Sequence, residues 1–398
     1  MSVFADKREL EKNINDQNGI PEINGIPEIS VEEKLCLYWL SKVEEAGSAA
    51  RERLFQHFGC ARAAFEAGKE TLLRTGLPER AVHGLLNPKY REGLAEEFHK
   101  LEERDIYFVT KQEAVFPERL RMIPQSPDWL FYRGRLPAEE LPAVAVVGAR
   151  ECSVYGRGIA ELLAAELAEA GVQIISGMAR GVDGFAQKAA AKHGSSFAVL
   201  GSGVDICYPL QNYRLYEQLP ERGGILSEYP PGSPGLPYHF PQRNRIIAGL
   251  ADGLVVVEAR KKSGTLITVD FALEQGKEVF AVPGRIGDPL SAGCNELIRQ
   301  GACLVEQSSD ILEVLLGWLP ERPNSQKNRK NKFFLEEPEK IVYAYLRLEP
   351  RHIEELMGDV DFSLPELSRI LFSLEAKGLI YSPAGNYYSL TGPYRETL

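Results

Sequence analysis

Ala143-Val144-Ala145-Val146-Val147-Gly148-Ala149-Arg150 and, after a helical stretch, Val172-Gln173-Ile174-Ile175-Ser176-Gly177-Met178-Ala179-Arg180-Gly181-Val182-Asp183 decide how this chain folds. Each apolar run ends in a glycine turn that carries an arginine. A continuous Val/Ile/Ala run bounded by turn signals suits a parallel strand covered on both faces, and the Ala-rich residues 159–170 between the two have crossover-helix spacing. The pair is a βαβ unit. In such sheets ligands bind in the crevice at the carboxyl ends of the strands, where flexible backbone N–H groups here stand beside a permanent cation. The expected ligand is an anion, most simply a phosphate.

Working outward, residues 197–200, 224–227, 253–257, 278–282 and 302–305 are further short apolar runs separated by helical or looped crossovers. They predict an α/β, Rossmann-like, doubly wound and mostly parallel sheet in a domain spanning 105–317. Residues 107–109 and 129–134 are expected to add one or two edge strands. Residues 1–30, polar and containing GIPEIN then GIPEIS, are read as a flexible leader. Over 31–104, Leu35, Leu37, Trp39, Leu40, Leu54, Phe55, Phe58 and Phe65 fall at helical spacing, with Gly59 and Gly76 as punctuation. These predict a small helical domain of the SAM or helix-hairpin-helix kind. The polar, basic stretch 318–334 has linker composition. Three helical patterns (340–346, 353–357 and 364–377) and a hairpin (378–381 with 387–390) then predict a winged-helix domain over 335–398.

Composition narrows the function. Of 398 residues, 46 are basic and 56 acidic, so a net charge of −10 excludes a surface that attracts polyanions everywhere and demands a local patch. The six cysteines are scattered without a CxxC pair or a signal peptide ahead of them, which predicts reduced thiols in a cytoplasmic protein. No apolar run is long enough for a membrane span. The six histidines lack ligand spacing, so neither a metal nor a cofactor is expected.

The candidate phosphate contacts follow the glycine turns. Gly148 permits close backbone approach and Arg150 offers a bidentate fork; its alternative role is a salt bridge to a neighbouring loop. Ser176, Gly177 and Gly181 open the next helix, with Asp183 as N-cap or loop brace, and Arg180 as contact or solvated charge. Phe240-Pro241-Gln242-Arg243-Asn244-Arg245, placed just before a helical segment at 246–250, joins cations to an aromatic. At least one of Arg243 and Arg245 is expected on phosphate with Asn244 between them, the alternative being a brace to Glu228 or Glu258. Asn212 and Arg214, after Tyr208-Pro209, extend the track. Lys262, Ser263, Gly264 and Thr265 form another glycine turn at a helix start, with Ser263 or Thr265 as N-cap.

The strings VVGAR, SGMARGVDGFAQKAA, LGSGVDICYPLQN, SEYPPG, HFPQRNRIIAGLADGLVVVEA, KKSGTLIT, VFAVPG and GCNELIRQGA, in this order between residues 116 and 308, resemble the DNA-processing protein A (DprA/Smf) family. The resemblance implies a Rossmann-like domain that grips single-stranded DNA, a homodimer, and a RecA-type recombinase as partner. Two departures stand out: Ala149 replaces the serine usual in the first turn, and Gln187 stands near a position where a histidine is common. A rival resemblance, to phosphoribohydrolases of the lysine-decarboxylase-like family, fails where their chemistry needs acids, because Ile267 and Thr268 cannot stabilise a forming oxocarbenium ion. A NAD-dependent enzyme is disfavoured because no G-x-G-x-x-G follows Val147. The third helix of the last domain carries Glu366, Arg369, Glu375 and Lys377 without a basic excess, which favours a protein contact over duplex reading.

Overall fold

The computed structural model describes residues 29–316, 336–346, 350–377 and 379–390; the expected leader up to residue 28 and the linker over 318–334 lie outside them. Nine strands build the main sheet: β1 (Tyr107–Thr110), β2 (Trp129–Gly134), β3 (Ala143–Val147), β4 (Gln173–Ser176), β5 (Ser196–Val199), β6 (Gly223–Ser227), β7 (Gly253–Val256), β8 (Glu278–Ala281) and β9 (Cys303–Leu304). Their order is β1-β2-β6-β5-β4-β3-β7-β8-β9. All pairings from β6 to β9 are parallel, while β2 joins β6, and β1 joins β2, antiparallel. Every residue of β3 to β7 is buried, the burial that a sheet covered on both faces imposes and that made these runs continuous in sequence. The chain runs outward from β3 to β6 and then returns to lay β7 against the other side of β3, so the topological switch point lies between β3 and β7.

One face is covered by helices His239–Leu250, Gly264–Glu274 and Ala292–Arg299, whose Ile246, Leu250, Val269 and Leu297 pack with Ala145, Val147, Leu254 and Val256. The other carries Val154–Glu169, Val182–His193 and Ser308–Leu316, with Leu163, Leu167, Ala186 and Ile311 against Val144, Val146 and Phe280.

Two helix starts differ from the sequence expectation. The crossover after β3 begins at Val154 rather than residue 159, because Ser153 caps it by accepting the Gly156 N–H at 3.0 Å. Gly156 and Gly158 weaken intrinsic helix propensity in that first turn and mask it. The helix expected from 246 begins at His239: Pro241 sits in its first turn, where the missing N–H has no intrahelical acceptor to lose. Arg243 and Arg245 therefore belong to a helix and not to the loop before it.

Helices Val31–Lys42, Ser48–Phe58, Ala61–Glu66, Lys69–Arg74, Glu79–Leu85 and Leu94–Glu103 gather Trp39, Leu54, Leu72 and Leu85 in a core that continues into Phe108, Trp129 and Phe131 of β1 and β2. Arg51 ties this unit to the sheet through Asp128 at 2.9 Å and Glu228 at 3.3 Å. The last described unit has helices Glu337–Tyr345, Ile353–Asp359 and Leu364–Ala376 and a three-stranded sheet ordered β10-β12-β11, from β10 (Arg351–His352), β11 (Ile380–Ala384) and β12 (Tyr387–Leu390). Its core is drawn from its own residues, including Val342, Leu356, Leu367, Leu371 and Ile380. The two-residue β10 is too short to leave a pattern in sequence.

Trp39 is fully buried, edge-on to Phe65 at 5.0 Å and beneath the Arg91 guanidinium at 5.2 Å. Trp39→Ala should cost about 3–5 kcal/mol. The urea midpoint of the N-terminal helices should fall accordingly, and an unchanged midpoint would show that these helices do not share a packed core.

Candidate nucleic-acid interface

Loops at the carboxyl ends of β3, β4 and β5, with the first turns of helix His239–Leu250, enclose a cleft of about 340 Å³. Its walls are Arg150, Gly177, Ala179, Arg180, Tyr208, Pro209, Leu210, Gln211, Phe240 and Arg243. Among the described residues no carboxylate lines it. The floor is made by Arg243, only 5% exposed, whose guanidinium donates to the carbonyl oxygens of Gly177, at 3.0 Å, and of Val199, and through Nε to Asn244 Oδ1 at 3.3 Å. Beside it Asp183 accepts the Gly177 N–H at 3.1 Å. A side chain on residue 177 would strike both groups: its Cβ would lie 2.7 Å from Arg243 Nη2 and 2.8 Å from Asp183 Oδ2. Burial pushes Arg243 down to about 10, opposed by Asp183 and reinforced by Arg150, so the floor stays cationic at neutral pH. Burial pushes the Asp183 carboxyl up, while Arg243, the nearby Ser176 hydroxyl and the backbone N–H groups of Gly177 and Ala179 draw it back.

The two glycine turns are clamped together. Val182 N–H donates to Ala149 O at 3.2 Å, and Gly181, at φ +78°, approaches so closely that a Cβ would sit 2.1 Å from that oxygen. Within the second turn Met178 is buried at φ +53°, a strained conformation for a side-chain-bearing residue. Gln187 Oε1 accepts its N–H at 2.9 Å, and Asn212 Nδ2 donates to its carbonyl at 2.9 Å and to that of Ala179 at 3.0 Å. Gln187 thus serves as a buried brace, anchored in turn to Phe197 O at 2.9 Å.

The sequence candidates divide sharply. Arg150, Arg180, Arg214 and Lys262 are exposed and form no ion pair with any described residue. Arg150 also stands 5.8 Å above the ring of Phe240. Arg245 faces the interior, against the expectation that groups it with phosphate ligands. It is 7% exposed, pairs with Glu228 at 2.7 Å and donates to Gln125 O at 2.9 Å, the bracing alternative open in the sequence. The Ser176 hydroxyl is fully buried and donates to Val146 O at 2.6 Å, which removes it from any ligand. Asn212 braces the second turn, and Asn244 is half-buried against Arg243. Ser263 caps helix Gly264–Glu274 by accepting the Thr265 N–H at 3.2 Å; Thr265 donates its hydroxyl to Gly148 O at 3.1 Å, and Gly264 is exposed beside Lys262.

Sequence reasoning passed over the pairing of Tyr208 with Phe240, whose rings lie 5.3 Å apart at 32°, and over Leu210, 75% exposed on the same rim. The Tyr-Pro-Leu-Gln run is the signal, because apolar side chains in a turn-rich loop at a sheet's carboxyl end have no core to enter. At the switch point itself, Glu258 is 2% exposed and bonds Ser153, so the helix terminus that a dinucleotide fold keeps open is occupied. Thr268 is buried and Ile267 about one-third exposed, neither of them acidic. Among the described residues no group of His, Cys, Asp and Glu is arranged to hold a metal, and no helix is long and apolar enough to cross a membrane.

The family model for DNA recombination-mediator protein A matches residues 107–316, the whole of the main sheet. Protein Smf of Escherichia coli is 38% identical over 330 residues, covering 80% of this chain and 86% of that protein. The chain belongs to the DprA/Smf family. DNA processing protein DprA of Streptococcus pneumoniae is 46% identical over 198 residues, 50% of this chain and 70% of that protein. The X-ray structure of DNA processing protein A from Streptococcus pneumoniae superposes with a TM-score of 0.61 at 35% identity, covering 73% of this chain and 99% of that one. The matched region contains every wall of the cleft, so the DprA/Smf fold and the candidate interface coincide.

The division between braces and displayed cations is measurable. Arg245→Ala strands Glu228 in the interior with only the longer Arg51 contact and should lower stability by about 3 kcal/mol. Arg214→Ala should stay within about 0.5 kcal/mol of the parent. Equal denaturant midpoints for the two variants would contradict the assignment.

Proposed function

We propose that this chain binds single-stranded DNA in the cleft over β4 and β5, holding backbone phosphates without sequence preference and without chemistry. One observation carries the proposal. In a chain of net charge −10, a cleft with no carboxylate lining it among the described residues gathers two exposed arginines without a described ion-pair partner, a buried cationic floor and the half-exposed Tyr208 ring set against a partly buried Phe240. Phosphates meet Arg150 and Arg180, bases stack on Tyr208 and Phe240, and Arg214 and Lys262 prolong the track on either side. Family membership as a DNA recombination mediator supports this reading. Among the described residues the cleft walls carry no His, Cys, Ser, Thr, Asp or Glu.

The family resemblance extends the proposal to a cytoplasmic homodimer that passes the strand to a RecA-type recombinase. The last unit is read as a winged helix that meets protein: its helix Leu364–Ala376 exposes Phe372 at 74% beside Glu366, Arg369 and Glu375. Sedimentation at micromolar concentration tests the dimer, and a single protomer mass would refute it.

Four displayed cations predict that log affinity for single strands falls with log salt at a slope of roughly 3, about 0.7 per phosphate neutralised. An affinity flat between low and moderate salt would refute the track. Arg150→Glu should weaken strand binding about tenfold or more while the far-UV spectrum stays unchanged. A gel shift with single strands, duplex and free nucleotides, run beside a base-release assay on nucleoside monophosphates, separates the proposal from the phosphoribohydrolase rival. Preference for single strands without base release is expected, and turnover of a monophosphate would overturn it.

A further inference from the structure

Glu258 lies two residues beyond the end of β7 and so enters the crevice between β3 and β7, where doubly wound sheets ordinarily receive a ligand's phosphate. Its carboxylate does there what a phosphate would do. Oε2 accepts the Ser153 N–H at 2.9 Å and Oε1 accepts the Ser153 hydroxyl at 2.5 Å, at the N-terminus of the sixteen-residue helix Val154–Glu169. Gly156, one turn in, makes the room: a Cβ there would lie 2.3 Å from the Glu258 carboxyl carbon. Glu258 is 2% exposed and no described residue forms an ion pair with it, so the positive end of the helix and the Ser153 donors are its compensation.

We propose that Glu258 is a resident anion in the phosphate position of the switch point, and that it closes this crevice to the phosphate groups of free nucleotides. The chain thereby keeps the nucleotide-binding architecture at this crevice while refusing the nucleotide. The inference concerns a site separate from that cleft and does not rest on strand binding.

The test uses the full chain, inorganic phosphate as probe, and chloride at matched ionic strength as control. Glu258→Ala empties the position, whereas Glu258→Gln fills it with an uncharged group of the same shape. Between zero and roughly 20 mM phosphate, the alanine variant should gain about 3 °C or more in melting temperature over whatever gain the parent and the glutamine variant share. AMP should act on the alanine variant in the same direction. If that variant is unfolded in chloride, recovery of its far-UV spectrum in phosphate supports the proposal, and failure to recover overturns it. A folded alanine variant that ignores phosphate, or a parent stabilised by phosphate as much as the variant, also overturns it. The melts contain no DNA, so failure here is distinguishable from failure of strand binding.

Discussion

A single buried guanidinium organises the carboxyl end of the sheet. Parallel strands end with carbonyl groups that have no partner in the ladder, and at β4 and β5 those groups converge below the cleft. Arg243 fills that gap, bonding Gly177 O and Val199 O while Asp183 holds the Gly177 N–H from the other side. Placing a cation there costs several kcal/mol in desolvation, and that cost is offset only because the carbonyls and the carboxylate are already in position. The consequence is a rigid second turn. It keeps Met178 in a strained conformation and fixes the direction in which Arg180 and, through the Ala149 contact, Arg150 leave the surface.

Most polar residues near the cleft spend their donors on this scaffold, and the few that do not are the ones available to a ligand. Ser176, Gln187, Asn212, Arg245 and Thr265 are bonded inward or laterally, so Arg150, Arg180, Arg214 and Lys262 inherit the display. The arrangement suits an extended polyanion: cations spaced along the ends of successive strands match a chain of phosphates better than one compact anion. The aromatic pair adds a surface that any base can use.

The parallel core was legible because strands buried on both faces are written as uninterrupted apolar runs, and β3 through β8 lie within two residues of where those runs fall. Helix starts were less legible. Gly156 and Gly158 in one, and Pro241 in the other, work against helix propensity where capping and position within the first turn decide the outcome. The site was legible as chemistry and opaque as direction. Arg243 and Arg245, two residues apart on one helix, have the composition of a phosphate grip, yet one turns toward the ends of β4 and β5 and the other toward Gln125 and Glu228. Only the partners settle that, and they lie far away in sequence. Glu258 was noticed as a possible partner for these arginines, but its actual partner, Ser153, comes from a distant loop.

The central claim is that strands lie in the cleft between Arg150, Arg180 and the Tyr208–Phe240 pair. Photo-crosslinking with iodouracil-substituted single-stranded DNA, followed by mass spectrometry of the modified peptides, tests it most directly, because the reactive base must stack on the side chain it labels. Crosslinks at Tyr208 or Phe240 are predicted. Crosslinks confined to the N-terminal helices or to the unit beyond residue 336, with neither aromatic labelled, would contradict the account.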